Sequence, residues 1–556
     1  MIRSFLFFIL LLCSAPTFGN DLFLNQLDLN KLGTVASFDQ GRVKSLDSLA
    51  ASVMKRITGA RTPTGTSNLA EMLDLAFRSE AWSDRPTIYV KNKLVRAELA
   101  SAMAGSNASS QAQVTLIETG LVARRHLETT QASAILDRLS RDLMRTARPV
   151  EEIRGALSWS RPKVLRSLFT VVAPPNGGFE ARWFTLDDLT MGGMTAPIFA
   201  GIDSEVRRKS IGHWEAFTSA WSAGDAATVN ASAEALSALL PQVNPDPEIY
   251  PSLARLSWES WYFRNGNLTL FWLAYGFALA PLLMAVVFRW RGVMRLGLAM
   301  FTLAVLLHTF SVGLRWWVSG RWPNSNMFEA VTTAAWFGAF FALLFEMFLP
   351  RSPVRGIVAL GGAGTGMVAL MCAHFMPLSL DPTISNMMPV LHDVWLYIHT
   401  NVIIFSYALI FMASVTAGIY LLWRVAIRVR GQTKGAVLHA GGGGTSMMLA
   451  GRSRSLGEVM DGATMILVEL SFILLWAGIV MGAIWADHSW GRPWGWDPKE
   501  VFALNTFLVF AVLVHVRWSV RDKGLWTALL AVVGCAVMLF NWVVINFTIA
   551  GLHSYA

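Results

Sequence analysis

The sequence predicts an all-α polytopic membrane protein with about eight transmembrane helices, preceded by a mainly helical soluble exported domain. Of the 556 residues, 54% are hydrophobic and only 15% are charged, and the mean hydropathy is +0.44. A soluble chain of this length does not need so much apolar surface, so several spans are expected. The composition changes near residue 265: the residues before it have an ordinary density of charged side chains, and long apolar runs follow it.

Residues 1–19 have the pattern of a secretory signal peptide, with one arginine, a short apolar core and small residues around Ala15 and Gly19. The apolar stretch is too short to span a bilayer. Residues 20–265 are therefore expected to form the exported domain. Apolar residues recur there at helical spacing in 68–82 and 132–147.

Two further stretches of this domain favour strands. Residues 86–95 ("PTIYVKNKLV") have the composition of a short strand, and 171–186 are expected to form a loop that leads to another. No catalytic motif stands out among these residues. His126 and His213 are accordingly interpreted as surface or packing residues.

Composition excludes several classes of function. The cysteines are Cys13, in the signal segment, and Cys372 and Cys535, in apolar runs, so the exported domain has no disulfide framework. The absence of a CxxC pair leaves thiol-redox chemistry and a zinc site unsupported. The net charge of +9 is spread over membrane-flanking loops and the exported domain, which indicates membrane topology and not nucleic-acid binding.

The membrane part contains eight apolar runs near the length of about 20 residues that a bilayer requires. Arg and Lys concentrate in the connections after the first, third, fifth and seventh runs, and the opposite short loops carry few of either. The positive-inside rule then places residues 20–265 and the C-terminus outside the cytoplasm. The runs cover residues 268–288, 293–313, 328–349, 354–376, 396–423, 463–486, 501–519 and 525–549.

This topology brings four unusual segments to one outer boundary: 315–330, 399–408, 490–500 and 551–556. His399 opens the fifth run and His553 follows the eighth. Two neutral imidazoles facing each other across an aromatic pocket would hold a haem iron from both sides. The alternative is that each histidine caps a helix or bonds a backbone group.

The segment 490–500, "WGRPWGWDPKE", joins the sixth and seventh runs. Trp490, Trp494 and Trp496 are denser than an interfacial aromatic belt requires, although such a belt is the simpler interpretation. Gly491 and Gly495 allow tight turns and close approach of the backbone. A large, flat, apolar ligand would find stacking surface here.

The end of that segment predicts the start of the seventh helix. Asp497 is a good N-cap, Pro498 suits the first helical position and Glu500 completes a capping box. Direct contact of Asp497 with a ligand is the alternative.

His515 lies fourteen residues after Val501 in the seventh run, roughly 21 Å along a helix, toward the cytoplasmic side. A histidine inside a membrane span is a functional candidate. His308 is predicted at a different depth, so His515 needs another partner, for example on another chain. His308, His374, His392 and His488 are weaker ligand candidates.

Residues 265–556 resemble the CcsA-type (System II, ResC-like) cytochrome c biogenesis family. The resemblance rests on "WGRPWGWDPKE", on "RWWVSGRWPNSNMFEA", "PVLHDVWLYIHTN" and "FLVFAVLVHVRW", and on the terminal "NFTIAGLHSYA". The tryptophan segment alone would also fit the System I relatives, but the terminal sequence and the number of spans favour the CcsA type. The segment 37–50 ("SFDQGRVKSLDSLA") resembles part of larger CcsA-like bacterial proteins.

The resemblance implies haem b as the group handled, in a bacterial cytoplasmic membrane. It makes His399 and His553 the outer iron ligands beside Trp490, Gly491, Trp494, Trp496 and Asp497. It makes His515 the ligand of a transmembrane haem whose second ligand comes from a CcsB/ResB-like subunit. Haem would pass His515 to the outer site, where the thiols of an apocytochrome c CxxCH segment attack its vinyl groups.

The same resemblance makes the chain a holocytochrome c synthase (haem lyase) subunit without a nucleophile of its own, so that catalysis is positioning. Arg315, Arg321 or Lys499 are candidates to neutralise the haem propionates. Apocytochrome c, the CcsB/ResB-like subunit, thiol-reducing proteins and membrane lipid are the implied partners.

Two other functions remain open at this point. One is a haem-free transporter or channel with an exported sensor domain, and the other is an assembly scaffold. Apart from Glu346, Glu469 and His515 the spans carry almost no ionisable groups, which disfavours an ion-coupled carrier. The scaffold does not explain the tryptophan segment.

Overall fold

The computed structural model describes residues 22–59, 64–104, 110–176, 181–288, 290–348, 355–386, 393–429 and 456–545. They form two compact units, which divide between Asn265 and Gly266. The predicted signal peptide, 1–19, lies outside the described residues.

The first unit is mainly helical, and its described strands form three antiparallel pairs. β1 (Ala36–Asp39) pairs with β2 (Arg42–Ser45), β3 (Pro86–Tyr89) with β4 (Leu121–Ala123), and β5 (Thr170–Val172) with β6 (Phe184–Thr185). The helices are Leu22–Asn25, Asn30–Gly33, Leu46–Thr58, Asn68–Phe77, Lys93–Ala104, Ser110–Thr119, Arg124–Leu127, Thr130–Leu139, Ala147–Trp159, Pro162–Ser167, Leu186–Gly192, Ser204–Ala223, Ala226–Leu239 and Leu253–Arg264.

The strand predicted over 86–95 is confirmed for Pro86–Tyr89 only, since residues 93–95 begin the helix Lys93–Ala104, and β6 is the strand expected toward the end of 171–186. The helix expected over 132–147 ends early, at Leu139. The Asp142 carboxylate accepts hydrogen bonds from the backbone N–H groups of Met144 and Arg145, at 3.2 and 3.1 Å. An aspartate that bonds nearby amides in this way offers the backbone an alternative to the helix.

A buried carboxylate organises the aromatic core of the first unit. Asp74 accepts the indole N–H groups of Trp82 and Trp221 at 2.8 and 2.9 Å, and Arg78 closes the group at 2.5 Å. Because every one of these polar groups has a partner, the carboxylate can be buried without the large penalty of an unpaired charge.

The described residues of the second unit include eight helices long and apolar enough to cross a membrane, which confirms the predicted polytopic all-α fold. Spans 1 to 8 are Gly266–Val286, Arg291–Ser319, Met327–Phe348, Ile357–Phe375, Val394–Val429, Gly457–Trp490, Pro498–Ser519 and Lys523–Ile545. The last span closes with a π-helical turn, Phe540–Ile545.

Span 5 has 36 residues, more than the apolar run at 396–423 predicts. At 1.5 Å per residue it is about 54 Å long, well beyond a hydrocarbon core of about 30 Å. Hydropathy marks only the part of such a helix that lies in lipid, so the sequence underestimated its length.

One end of the second unit gathers the connections between spans 2 and 3, 4 and 5, and 6 and 7; we call it the tryptophan end. Side chains join these connections: Asn326 Nδ2 donates to the Thr383 carbonyl at 3.1 Å, and His488 Nδ1 lies 3.5 Å from Asp393 Oδ2. His399, near the start of span 5, therefore lies at this end.

The opposite end is closed by ion pairs. Arg517 forms two hydrogen bonds of 2.7 Å with the Asp461 carboxylate, both side chains being buried, and Arg424 pairs with Asp522. Arg424 and Arg517, which indicated membrane topology in the sequence, thus also form ion pairs between neighbouring spans.

Candidate functional site

His399 lies half-buried in the second turn of span 5, and its tautomer is set by the backbone. Its Nδ1 is 2.8 Å from the carbonyl oxygen of Trp395. A carbonyl can only accept, so Nδ1 carries the proton of the neutral ring and Nε2 carries the lone pair. This is the arrangement in which an imidazole ligates a metal through Nε2 while its other nitrogen is held by an outer partner.

The imidazole of His399 belongs to an aromatic stack. It packs on Trp485 with ring centroids 5.6 Å apart and planes 29° apart. Trp485 is buried, and Trp490 meets it edge-on at 4.9 Å. Trp490, one of the three tryptophans predicted to offer stacking surface, is thus joined to His399 through Trp485, which was not singled out from the sequence.

Counting residues from the ends of spans 5 and 6 would have identified Trp485. It lies five residues before the end of span 6, and His399 lies five residues after the start of the antiparallel span 5. Residues equally far from one end of two antiparallel helices lie at the same level.

Two glycines on span 6 let His399 approach so closely. A Cβ built on Gly482 would lie 3.3 Å from His399 Cδ2 and 3.7 Å from its Nε2, and one on Gly478 would meet Ile403 at 2.5 Å. The pair forms a GxxxG pattern, which allows close backbone contact between membrane helices. The absence of side chains at these two positions therefore sets where the imidazole lies.

The loop between spans 6 and 7 carries the other two predicted tryptophans. Trp494 and Trp496 meet edge-to-face, with centroids 5.9 Å apart at 88°. Gly491 has a φ of +68°, which suits glycine, but Trp496 also has a positive φ, +55°. Trp496 as a whole residue is 73% exposed.

Asp497 begins span 7 as predicted. Its side chain accepts the Lys499 amide at 3.2 Å, and Glu500 reaches back to the Asp497 amide at 3.1 Å, which makes a capping box with Pro498 in the first turn. The N-cap role is confirmed. The Asp497 side chain is buried, and its direct contact with a ligand stays a prediction.

The predicted convergence of segments is confirmed for three of the four. Trp322 donates its indole N–H to Asn401 Oδ1 at 2.8 Å, and Asn324 donates to Thr400 at 3.0 Å, which ties the loop after span 2 to the residues beside His399. The fourth segment, with His553, lies outside the described residues.

Arg315 and Arg321 are engaged in a buried cluster. Both guanidinium groups pair with Glu329, at 2.8 and 2.9 Å, and Glu329 is fully buried. Two guanidinium groups share this one carboxylate, and the expectation that either arginine neutralises a haem propionate stays a prediction. Lys499 is half-buried beside the capping box. Glu329 was not singled out from the sequence.

His515 lies exposed on the surface of the second unit, in span 7. Its Nδ1 is 2.7 Å from the Ala511 carbonyl oxygen, so its Nε2 also carries the lone pair, and Trp518 meets the ring edge-on at 5.3 Å. The prediction that His308 is not its partner agrees with the structure, since His308 is buried against the Tyr275 hydroxyl at 3.0 Å.

The weaker candidates have structural partners where they are described. His374 bonds Thr269 at 3.0 Å, and His488 pairs with Asp393. His392 lies outside the described residues. Among the residues that the structure describes, no group of three or more His, Cys, Asp or Glu side chains is arranged to hold a metal ion.

Comparison with known proteins identifies a family and several relatives. The family model described as "Cytochrome C assembly protein" matches residues 324–553. A "Cytochrome c biogenesis protein CcsA" of Parasynechococcus marenigrum (strain WH8102) is 35% identical over 260 residues, 46% of this chain and 84% of that protein. The protein of the same name from Prochlorococcus marinus (strain MIT 9313) is 34% identical over 271 residues, 46% and 81% of the two chains.

A third relative of that name, from Thermosynechococcus vestitus (strain NIES-2133 / IAM M-273 / BP-1), is 30% identical over 312 residues, 52% of this chain and 92% of that protein. The similarity spans most of each relative. This multi-pass membrane chain belongs to the CcsA family of cytochrome c biogenesis proteins.

Proposed function

We propose that this protein binds haem b at the tryptophan end and presents it for thioether attachment to the CxxCH segment of an apocytochrome c. The observation that carries the proposal is the aromatic cluster of His399, Trp485 and Trp490. It combines an imidazole whose Nε2 has the lone pair with indole surface, which are the two chemistries that a haem requires.

His399 and His553 are the proposed axial ligands. Span 8 packs beside span 5, since Asn541 donates to the Tyr407 hydroxyl at 3.0 Å and Trp542 packs on the same ring at 5.8 Å. The two spans run in opposite directions, so the chain that continues from Ile545 toward His553 leaves span 8 on the side of the unit where span 5 begins. This contact supports the pairing of the two histidines.

The attachment itself needs no nucleophile from this chain. Each substrate cysteine adds across a vinyl group: the S–H bond breaks, a C–S bond forms and the hydrogen goes to the other vinyl carbon. The contribution of the protein is to hold the vinyl edge within reach of the two thiols, so its holocytochrome c synthase activity would rest on positioning.

His515 is proposed as a second haem-binding residue within the membrane. Its exposed position on span 7 suits a site completed by another chain, such as a CcsB/ResB-like subunit. Thiol-reducing proteins that keep the substrate cysteines reduced are further proposed partners. We place the first unit and the C-terminus on the periplasmic side, with residues 1–19 as a cleaved signal.

An absorption spectrum of the detergent-purified full-length protein tests the proposal. The wild type should show a Soret band and should support cytochrome c formation in a maturation-deficient strain. The double variant His399→Gly, His553→Gly should lose cytochrome c formation and the part of the Soret absorption that comes from haem at the tryptophan end. The matched control is His374→Gly, which removes a histidine bonded to Thr269 at the same end and should keep both.

Two outcomes would reject the proposal. Haem-free wild-type protein would favour a haem-free transporter or an assembly scaffold. Normal cytochrome c formation by the double variant would exclude the two histidines as the attachment site.

A further inference from the structure

We propose that Glu500 is a positioning residue that holds Trp496 in a left-handed backbone conformation and so keeps its indole available to contact haem. This inference rests on the proposed function and deepens it. The predictions from sequence assigned Glu500 only to the capping box of span 7.

The backbone of Trp496 is unusual. Its φ of +55° lies in the left-handed region, which glycine enters readily and bulky L residues rarely adopt. A glycine would fit this turn with less strain, as Gly491 does in the same loop with a φ of +68°. Strained residues of this kind persist only where their surroundings determine the conformation, and they concentrate at functional sites.

Glu500 forms the contacts that hold the backbone of Trp496 in this conformation. Its Oε2 accepts hydrogen bonds from the amides of Gly495, at 2.8 Å, and of Asp497, at 3.1 Å. These are the amides on either side of Trp496. One carboxylate oxygen that binds both flanking amides fixes the path of the chain through the residue between them.

The helix fixes the position of the Glu500 carboxylate; we call its two hydrogen bonds to the amides of Gly495 and Asp497 the clamp. Glu500 lies in the first turn of span 7, where Asp497 caps the helix and Pro498 sets its first residue. The position of the carboxylate is therefore tied to the span that also carries His515. The strained backbone conformation of Trp496 is therefore held by a regular helix and not by the loop alone.

The consequence is an exposed aromatic surface. Trp494 meets the Trp496 indole edge-to-face at 5.9 Å, and 73% of Trp496 remains exposed. A planar aromatic ligand gains from stacking on such a surface, which is the contact that Trp496 would make with haem.

The test compares Glu500→Ala with Glu500→Gln in the full-length protein. Hydrogen–deuterium exchange should show that the alanine variant loses protection at the amides of Gly495 and Asp497, whereas glutamine keeps an acceptor oxygen and most of the protection. Haem retained per protein should fall in Glu500→Ala by roughly three- to tenfold, the loss that one aromatic contact accounts for.

A double-variant cycle identifies the route of the effect. Trp496→Gly removes both the strain and the indole. If Glu500 acts through Trp496, adding Glu500→Ala to Trp496→Gly causes no further loss of haem. Additive losses would overturn the proposal, and so would unchanged exchange at the two amides in Glu500→Ala. Haem-free wild-type protein would instead refute the proposed function, while the exchange measurement would still test the clamp.

Discussion

Replacing Gly482 with alanine introduces one methyl group against the ring of His399. The added Cβ would lie 3.3 Å from Cδ2 and 3.7 Å from Nε2. Carbon atoms in contact prefer separations of about 3.5–4.0 Å, so the ring must move by roughly 0.2–0.7 Å. Such a movement would disturb the stacking of the imidazole on Trp485, whose ring centroid lies 5.6 Å away.

The magnitude follows from a matched control on the same helix. A Cβ on Gly462 would meet nothing within 4 Å. Alanine gains about 0.5–1 kcal/mol over glycine in a helix at either position. Overpacking adds a cost of about 1–3 kcal/mol at position 482 only, so Gly482→Ala should be less stable than Gly462→Ala by about that amount.

Two assays on the detergent-purified variants check this prediction. Thermal unfolding gives the stability difference, and the absorption and EPR spectra of the bound haem report the ligand geometry, which tolerates displacements of only about 0.5 Å. Gly482→Ala should hold less haem with an altered spectrum, and Gly462→Ala should match the wild type. Equal stability and identical spectra for both variants would refute the close contact between span 6 and His399.

Three further predictions concern other contacts. Burial raises the pKa of Glu71 from 4.5 to about 7, although Thr64 donates to its carboxylate. The folded state therefore binds the proton more tightly than the unfolded state, and local stability should fall as the pH rises from about 4.5 to 7. Hydrogen exchange of residues 64–77 should show this trend in the wild type and not in Glu71→Gln. Arg517→Met should destabilise the protein by about 3–5 kcal/mol by leaving the Asp461 charge buried and unpaired, and adding Asp461→Leu should restore much of the thermal stability; no recovery would contradict the pairing. Asp497→Ala should cost about 0.5–2 kcal/mol while Asp497→Asn retains the cap, and loss of haem from the asparagine variant at unchanged stability would indicate direct ligand contact.

The sequence by itself determined the number of spans, the division near residue 265 and the start of span 7. These features are local. A run of apolar residues commits a segment to the bilayer whatever its neighbours are, and Asp497, Pro498 and Glu500 satisfy the first amides of their own helix. The family resemblance followed from the same stretch, and comparison with CcsA proteins confirmed it.

The tertiary structure decided which side chains meet. Whether Trp485 stacks on His399, whether Glu329 binds two arginines and whether His515 faces outward all depend on how each helix is rotated and how closely it approaches the next. Hydropathy sets the depth of a residue along a span but not its direction around it, because nearly every face of these helices is apolar. Gly478 and Gly482 determine how closely span 6 approaches span 5. The sequence could not indicate this role, because it depends on which helix lies opposite the two glycines.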